Sequence, residues 1–188
     1  MTYFPDLDLC RYHGGPNDPR NWAVPLLAIG WLEHPQPYQR GAVDSGFTRK
    51  LDTLLARMRP RYAQYYFRGH HACSLCTSQG REPPQMPFSQ KTLFIPGEQV
   101  VYLAPGGIVH YIEAHSYRPP EAFVTGVLRC PIYGSPPYRL ALKAANAGVA
   151  APMETFQEHI RQNHERFRIV PTPEDVRRVR KQIRDIRR

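Results

Sequence analysis

No run of apolar residues in this 188-residue chain approaches the roughly 20 that a membrane-spanning helix needs. The most apolar stretch, WAVPLLAIGWL (22–32), is interrupted by Pro25 and Gly30. The opening, MTYFPDLDLC, lacks the basic segment and apolar core of a secretory signal, which makes a cytoplasmic location the expectation. Cysteine is scarce, with only four residues, so no dense disulfide framework underlies the fold. The phosphate-cradling G-x-x-x-x-G-K-[ST] and G-x-G-x-x-G loops are missing, as is the nucleophile elbow G-x-S-x-G. Acid is also in deficit, with 16 Asp and Glu against 25 Lys and Arg.

What is present suits one domain with a single core. With 41% hydrophobic residues, a chain this long buries roughly 70% of its unfolded surface and needs no metal merely to fold. Its 20 prolines predict long shaped loops between short elements. The opening YFPDLDLCRYHGGPNDPRNW reads as loop and turn, and 22–32 as a buried extended segment. FTRKLDTLLARMRP places Leu51, Leu54, Leu55 and Met58 at helical spacing behind Thr48 as a cap. KTLFI and QVVYL flank PGE and predict a hairpin. Pro105 then fits the first turn of a helix through PGGIVHYIEAHSY, and Pro120 opens EAFVTGVL. CPIYGSPPY reads as loop, followed by helices in RLALKAANAGVAA, METFQEHIRQNHERF and TPEDVRRVRKQIRDIRR. The fold class expected is α+β: a small antiparallel sheet, several helices, a zinc knuckle and a basic C-terminal helix.

Half of the cysteines fall in one short stretch, RGHHACSLC (68–76). Cys73 and Cys76 form C-x₂-C, a spacing that lets two thiolates reach one tetrahedral zinc from a tight turn. A pair is half a site. His110 and His115, in HYIEAH, supply the other half with H-x₄-H spacing. Residues five apart on an ideal helix point about 140° apart, so both bind only if the helix ends or distorts near Ser116, where SYRPP follows. His71 is the main substitute ligand, and Cys10 with His13 a more distant one. Mixed thiolate and imidazole donors suit zinc, and no richer cysteine set points to an iron–sulfur cluster. Two other readings stay open: a redox pair, and unrelated buried cysteines. Against the redox reading, TSQGREPPQ after the pair does not read as a helix.

The order YFPDL, GWLEH, RGHHACSLC, YLAP and HYIEAHSYRPPEAF resembles an uncharacterised bacterial family, a domain of unknown function. These blocks run from Tyr3 to about Phe123. The resemblance implies that Arg68, Gly69, His71, Cys73, Cys76, His110, Tyr111, His115, Tyr117, Pro119 and Pro120 belong to one shared constellation. It implies no activity, and the segment from about Arg139 to Arg188 inherits nothing from it.

An open, catalytic version of the site would keep both cysteines and one histidine, with Glu113 as general acid/base. Nucleobase deaminases use similar parts, but there H-x-E precedes P-C-x-x-C, the reverse of the order here. The charge is uneven: residues 176–188 hold seven basic groups against Asp185, and the rest of the chain holds 18 against 15. Val176, Val179, Ile183 and Ile186 form a narrow apolar stripe there. It leaves Arg177, Arg178, Arg180, Lys181 and Arg184 to face nucleic acid or an acidic protein, or to flank a seam with a second copy. RMRPRYAQYYFRG (57–69) interleaves arginines and aromatics, a pattern shared by half-buried strands and single-strand binders.

These readings combine into one α+β domain over 1–170 and a basic amphipathic helix over 171–188. The function expected is a non-enzymatic binding or interaction protein with structural zinc. The second expectation is a zinc-dependent hydrolase or deaminase using Glu113.

Overall fold

The computed structural model describes residues 3–10, 22–58, 72–84 and 90–147. All of them fall in one compact unit, Met1–Ala151, whereas a second unit, Pro152–Arg188, lies outside the described residues. The helices expected in METFQEHIRQNHERF and in 171–188 therefore lie outside them, as does most of the arginine–tyrosine segment 57–69.

Among the described residues eight elements follow in chain order: β1 (Leu26–Ala28), α1 (Ser45–Arg57), α2 (Ser74–Ser78), β2 (Thr92–Pro96), β3 (Val101–Pro105), α3 (Ile108–His115), α4 (Glu121–Arg129) and α5 (Pro136–Asn146). The expected hairpin is β2–β3, antiparallel with Phe94 opposite Leu103. Its turn closes with the Gly97 amide donating to Val100 O at 3.0 Å. β1 joins the other side of β3 in parallel, Leu26 opposite Val101, so the three-stranded sheet is mixed rather than antiparallel throughout.

Alternate residues of the hairpin enter different cores, because successive strand side chains point to opposite faces. Leu93, Ile95, Tyr102 and Ala104 join Phe47, Leu51, Leu54, Tyr111 and Phe123 in the larger core. Phe94, Val101 and Leu103 join Trp31, Leu26 and Ala145 in the smaller one. Burial on both faces explains why LFI and VVYL read as continuous apolar runs.

The N-terminal segment, expected as loop, runs along the outer edge of β1. Leu7 N donates to Ala28 O, Ala28 N to Asp8 O and Cys10 N to Leu26 O, each at 2.8 Å. Without this cover the edge would present unpaired amides and carbonyls. Three boundaries also differ from the sequence expectation. Asp44, not Thr48, caps α1, its carboxylate accepting from the amides of Gly46 at 2.8 Å and Phe47 at 3.2 Å. A carboxylate at that position also meets the positive end of the helix dipole, which a threonine one turn inside cannot do. Pro105 closes β3 instead of opening α3, and Gly107 occupies the N-cap position. α5 begins at Pro136, inside the stretch expected as loop, because Ser135 caps it by accepting from Tyr138 N at 3.2 Å.

Candidate metal centre

The two cysteines sit at the start of the short helix α2 and within it. Cys73 is the N-cap of α2, and its carbonyl accepts from Thr77 N and from Thr77 Oγ1, both at 3.2 Å. The sequence reading did not include this five-residue helix, which opens directly after Cys73 and ends at Ser78, so TSQGREPPQ shares only its first two residues with it. At its end the hydroxyls of Thr77 and Ser78 donate back to the carbonyls of Cys73 and Leu75, local bonds that help a turn of weak intrinsic propensity. At its far end the amides of Gln79 and Arg81 both donate to Cys76 O at 3.0 Å, wrapping the chain around the second thiol. From outside, His34 N donates to Ser74 Oγ at 3.0 Å and ties the turn to the segment after β1.

The two histidines come from α3, which stops where their spacing requires. Ser116 takes the left-handed conformation, φ 53°, and both its amide and that of Tyr117 return to Tyr111 O. His115 is the last helical residue. Its Nε2 lies 3.3 Å from the Sγ of Cys73 and 3.3 Å from that of Cys76. His110 Nε2 lies 3.4 Å from Cys76 Sγ, and the two imidazole planes cross at 82°. All four donor atoms fall within 4.8 Å of one another, and the set could hold a metal ion. Cys73, Cys76 and His115 are buried and His110 is half-buried.

Burial sets the electrostatics. It pushes the Cys73 thiol above its ordinary value, although the amides of Cys76 and Leu75 pull in the other direction. Burial also holds His110 below the usual imidazole range, with Arg81 adding to the shift. His115 is lowered by burial first, then by His110, Arg81 and Arg40. Neutral imidazoles keep a lone pair for a metal, and a bound cation would reverse the penalty on the thiolate.

Behind the ligands lies a support that sequence spacing did not single out. Tyr117 Oη donates to the Asp6 carboxylate, 2.8 Å from Oδ1 and 2.9 Å from Oδ2, and Gly30 N donates to Oδ1 at 2.8 Å. Gly30 has φ +69°, and a Cβ there would stand 2.9 Å from Ile108 Cδ1 and 3.3 Å from Tyr117 Cε1. Asp6, Gly30 and Tyr117 come from the PDL, GWL and HSY blocks, so three motifs distant in sequence meet at one node beside His115. Tyr38 Oη adds a bond to His115 O at 3.3 Å. Tyr111 is buried between the two histidines in sequence, its ring 5.8 Å from that of His110 and 6.4 Å from that of His115.

The other candidates are placed as follows. Cys10 is buried in the smaller core and is not among the four donors, and His13 and His71 lie outside the described residues. Glu113 is exposed on α3 and lines an open cleft of about 690 Å³ with Arg49, Asp52 and Ser116. None of the four donor residues lines that cleft. Arg177, Arg178, Arg180, Lys181 and Arg184 lie outside the described residues. Among those residues, no helix is long and apolar enough to cross a membrane.

Residues 2–128 match the family model described as "Domain of unknown function (DUF7919)", and the chain belongs to that family. The matched span holds all four donors and the Asp6–Gly30–Tyr117 node; α5 and the basic C-terminal segment fall beyond it. No curated protein and no solved structure matches the chain.

Proposed function

We propose that this family member is a zinc-binding interaction protein whose metal is structural, clipping the α2 turn to the end of α3. The observation that carries the reading is the convergence of Cys73, Cys76, His110 and His115 to within 4.8 Å. In a tetrahedral site with Zn–S about 2.3 Å and Zn–N about 2.0–2.1 Å, sulfur and nitrogen would stand about 3.6 Å apart. The three sulfur–nitrogen separations of 3.3–3.4 Å are close to that value. Two thiolates and two neutral imidazoles would leave zinc with no net charge, which suits a site with three buried ligands.

Four protein donors close the coordination sphere, and structural zinc is held that way. A hydrolase or deaminase would need an open position facing a general base. Glu113 instead lines a cleft that none of the donors shares, which favours the closed site. The partner would be nucleic acid or an acidic protein. In this reading residues 1–170 form the zinc-clipped domain, and 171–188 add a basic helix that contacts the partner through Arg177, Arg178, Arg180, Lys181 and Arg184 or pairs with a second copy. The protein would work in the cytoplasm, where thiols stay reduced.

Elemental mass spectrometry on the native protein should find near-stoichiometric zinc, lost in Cys73→Ser. X-ray absorption should then show two sulfur and two nitrogen neighbours. Metal-free native protein would refute the reading, and a coordinated water in place of one histidine would move it to the catalytic class. For the C-terminal segment, a chain ending at Val170 should bind nucleic acid with a shallower salt dependence than the full chain.

A further inference from the structure

The cleft that Glu113 lines has a chemistry of its own. Ser45, Thr48, Arg49 and Asp52 recur at helical spacing along α1 and line it together, while Phe47, Leu51, Leu54 and Leu55 of the same helix turn into the core. The end of α3 supplies Ile112, Glu113 and Ser116. Gly41, also in the lining, donates its amide to Ser116 O at 3.0 Å and ties the segment before α1 to the end of α3. The space, about 690 Å³, is of the size that holds small molecules. Arg49 and Asp52 have the spacing of a helical ion pair, yet neither side chain, nor that of Glu113, makes an ion pair or hydrogen bond among the described residues. Asp52 is half-buried, and burial pushes its carboxyl above the ordinary range with no bond or cation pulling it back. A carboxylate that has lost water and gained no partner is destabilising, and a ligand cation would offset that.

We infer that the cleft between α1 and the end of α3 binds a basic α-amino acid of the arginine or lysine class. The charges match in number: Asp52 and Glu113 for the ligand's two cationic groups, and Arg49 for its carboxylate. The hydroxyls of Ser45, Thr48 and Ser116 can accept from an ammonium or donate to a carboxylate. Val43 and Ile112 offer apolar surface to the aliphatic stem. The C-terminal end of α3 carries the negative end of a helix dipole and adds to the attraction for a cation. A diamine would set Arg49 against like charge, and a neutral amino acid would leave one carboxylate unmatched. Phosphate-rich ligands fit worst, because carboxylates outnumber cations in the lining. The cleft shares no residue with the metal centre, so its ligand is independent of the zinc reading.

Calorimetric titration of the full-length native protein with L-arginine and L-lysine tests this. The comparison ligands are agmatine and cadaverine, which lack the carboxylate, and norleucine, which lacks the side-chain cation. One of the two basic amino acids should bind, and loss of either group should weaken binding about tenfold or more. Asp52→Asn should weaken the amino acid and its decarboxylated counterpart alike, again about tenfold. Arg49→Gln should weaken the amino acid alone and bring it level with that counterpart. Glu121→Gln, an exposed carboxylate on α4 outside the lining, should change nothing. The melting temperatures of all three variants should match that of the native protein, and the ligand series on the unsubstituted chain decides the matter even if one does not. No binding of either basic amino acid at about 10 mM would overturn the inference. Equal affinity for the decarboxylated counterpart, or an unchanged affinity in Asp52→Asn, would do the same.

Discussion

Replacing Tyr117 by phenylalanine isolates one bond in the node behind His115. The ring is fully buried and packs edge-on against Tyr38 with centroids 6.3 Å apart, so the substitution removes an oxygen and leaves the packing in place. What is lost is the one side-chain donor to the Asp6 carboxylate among the described residues; the Gly30 amide remains. A hydrogen bond to a charged group contributes about 1.5–3 kcal/mol, and the half-buried setting of Asp6 places the expected loss near 2 kcal/mol. The pH dependence follows from burial, which pushes the Asp6 carboxyl above its ordinary 3.8 despite the two bonds that lower it. The folded state therefore holds the proton to higher pH than the unfolded chain. The stability linked to this group falls as pH rises from 3.8 to the folded value, and the full penalty applies above it. Without the tyrosine hydroxyl the folded value climbs further, and the falling region extends to higher pH. Urea unfolding of the native protein at a series of pH values, with Asp6→Asn and the double variant completing a cycle, measures this coupling. A loss under about 0.5 kcal/mol, or additive effects of the two substitutions, would refute the reasoning.

Three further substitutions test neighbouring parts of the frame. Gly30→Ala should cost about 3 kcal/mol, from the left-handed backbone together with a methyl forced against Ile108, and a thermal melt should show it. Asp44→Ala should lose about 1 kcal/mol by uncapping α1, with faster amide exchange confined to Gly46 and Phe47. Thr92→Val should instead stabilise the protein by about 1 kcal/mol in urea, because the buried Thr92 hydroxyl has no hydrogen-bond partner among the described residues.

The parts of this fold that were legible in the sequence are those governed by local chemistry. The period of Leu51, Leu54, Leu55 and Met58 gave α1, and the apolar runs around PGE gave the hairpin. The four donor residues were legible because metal-ligand spacing is a local constraint on both pairs, and SYRPP signalled the helix end that H-x₄-H demands. What escaped depends on partners far along the chain. Asp6 looks like any turn aspartate until Tyr117 and Gly30 reach it. The parallel pairing of β1 with β3 has no local signature in a three-residue strand. The α2 turn was missed because one helical turn of Ser, Cys and Thr has almost no propensity of its own.

The cover over β1 also dictates an order of events during synthesis. The N-terminal segment bonds to β1, but β1 is held in the sheet by β3, whose residues leave the ribosome much later. Trp31, Leu26 and Ile29 must therefore wait in the open until the hairpin has formed, and the segment that covers β1 is among the last to find its seat. Closure between such distant segments is slow compared with helix formation. A pulse-labelling experiment on refolding should accordingly find the amides of Leu7 and Cys10 protected after those of β2 and β3.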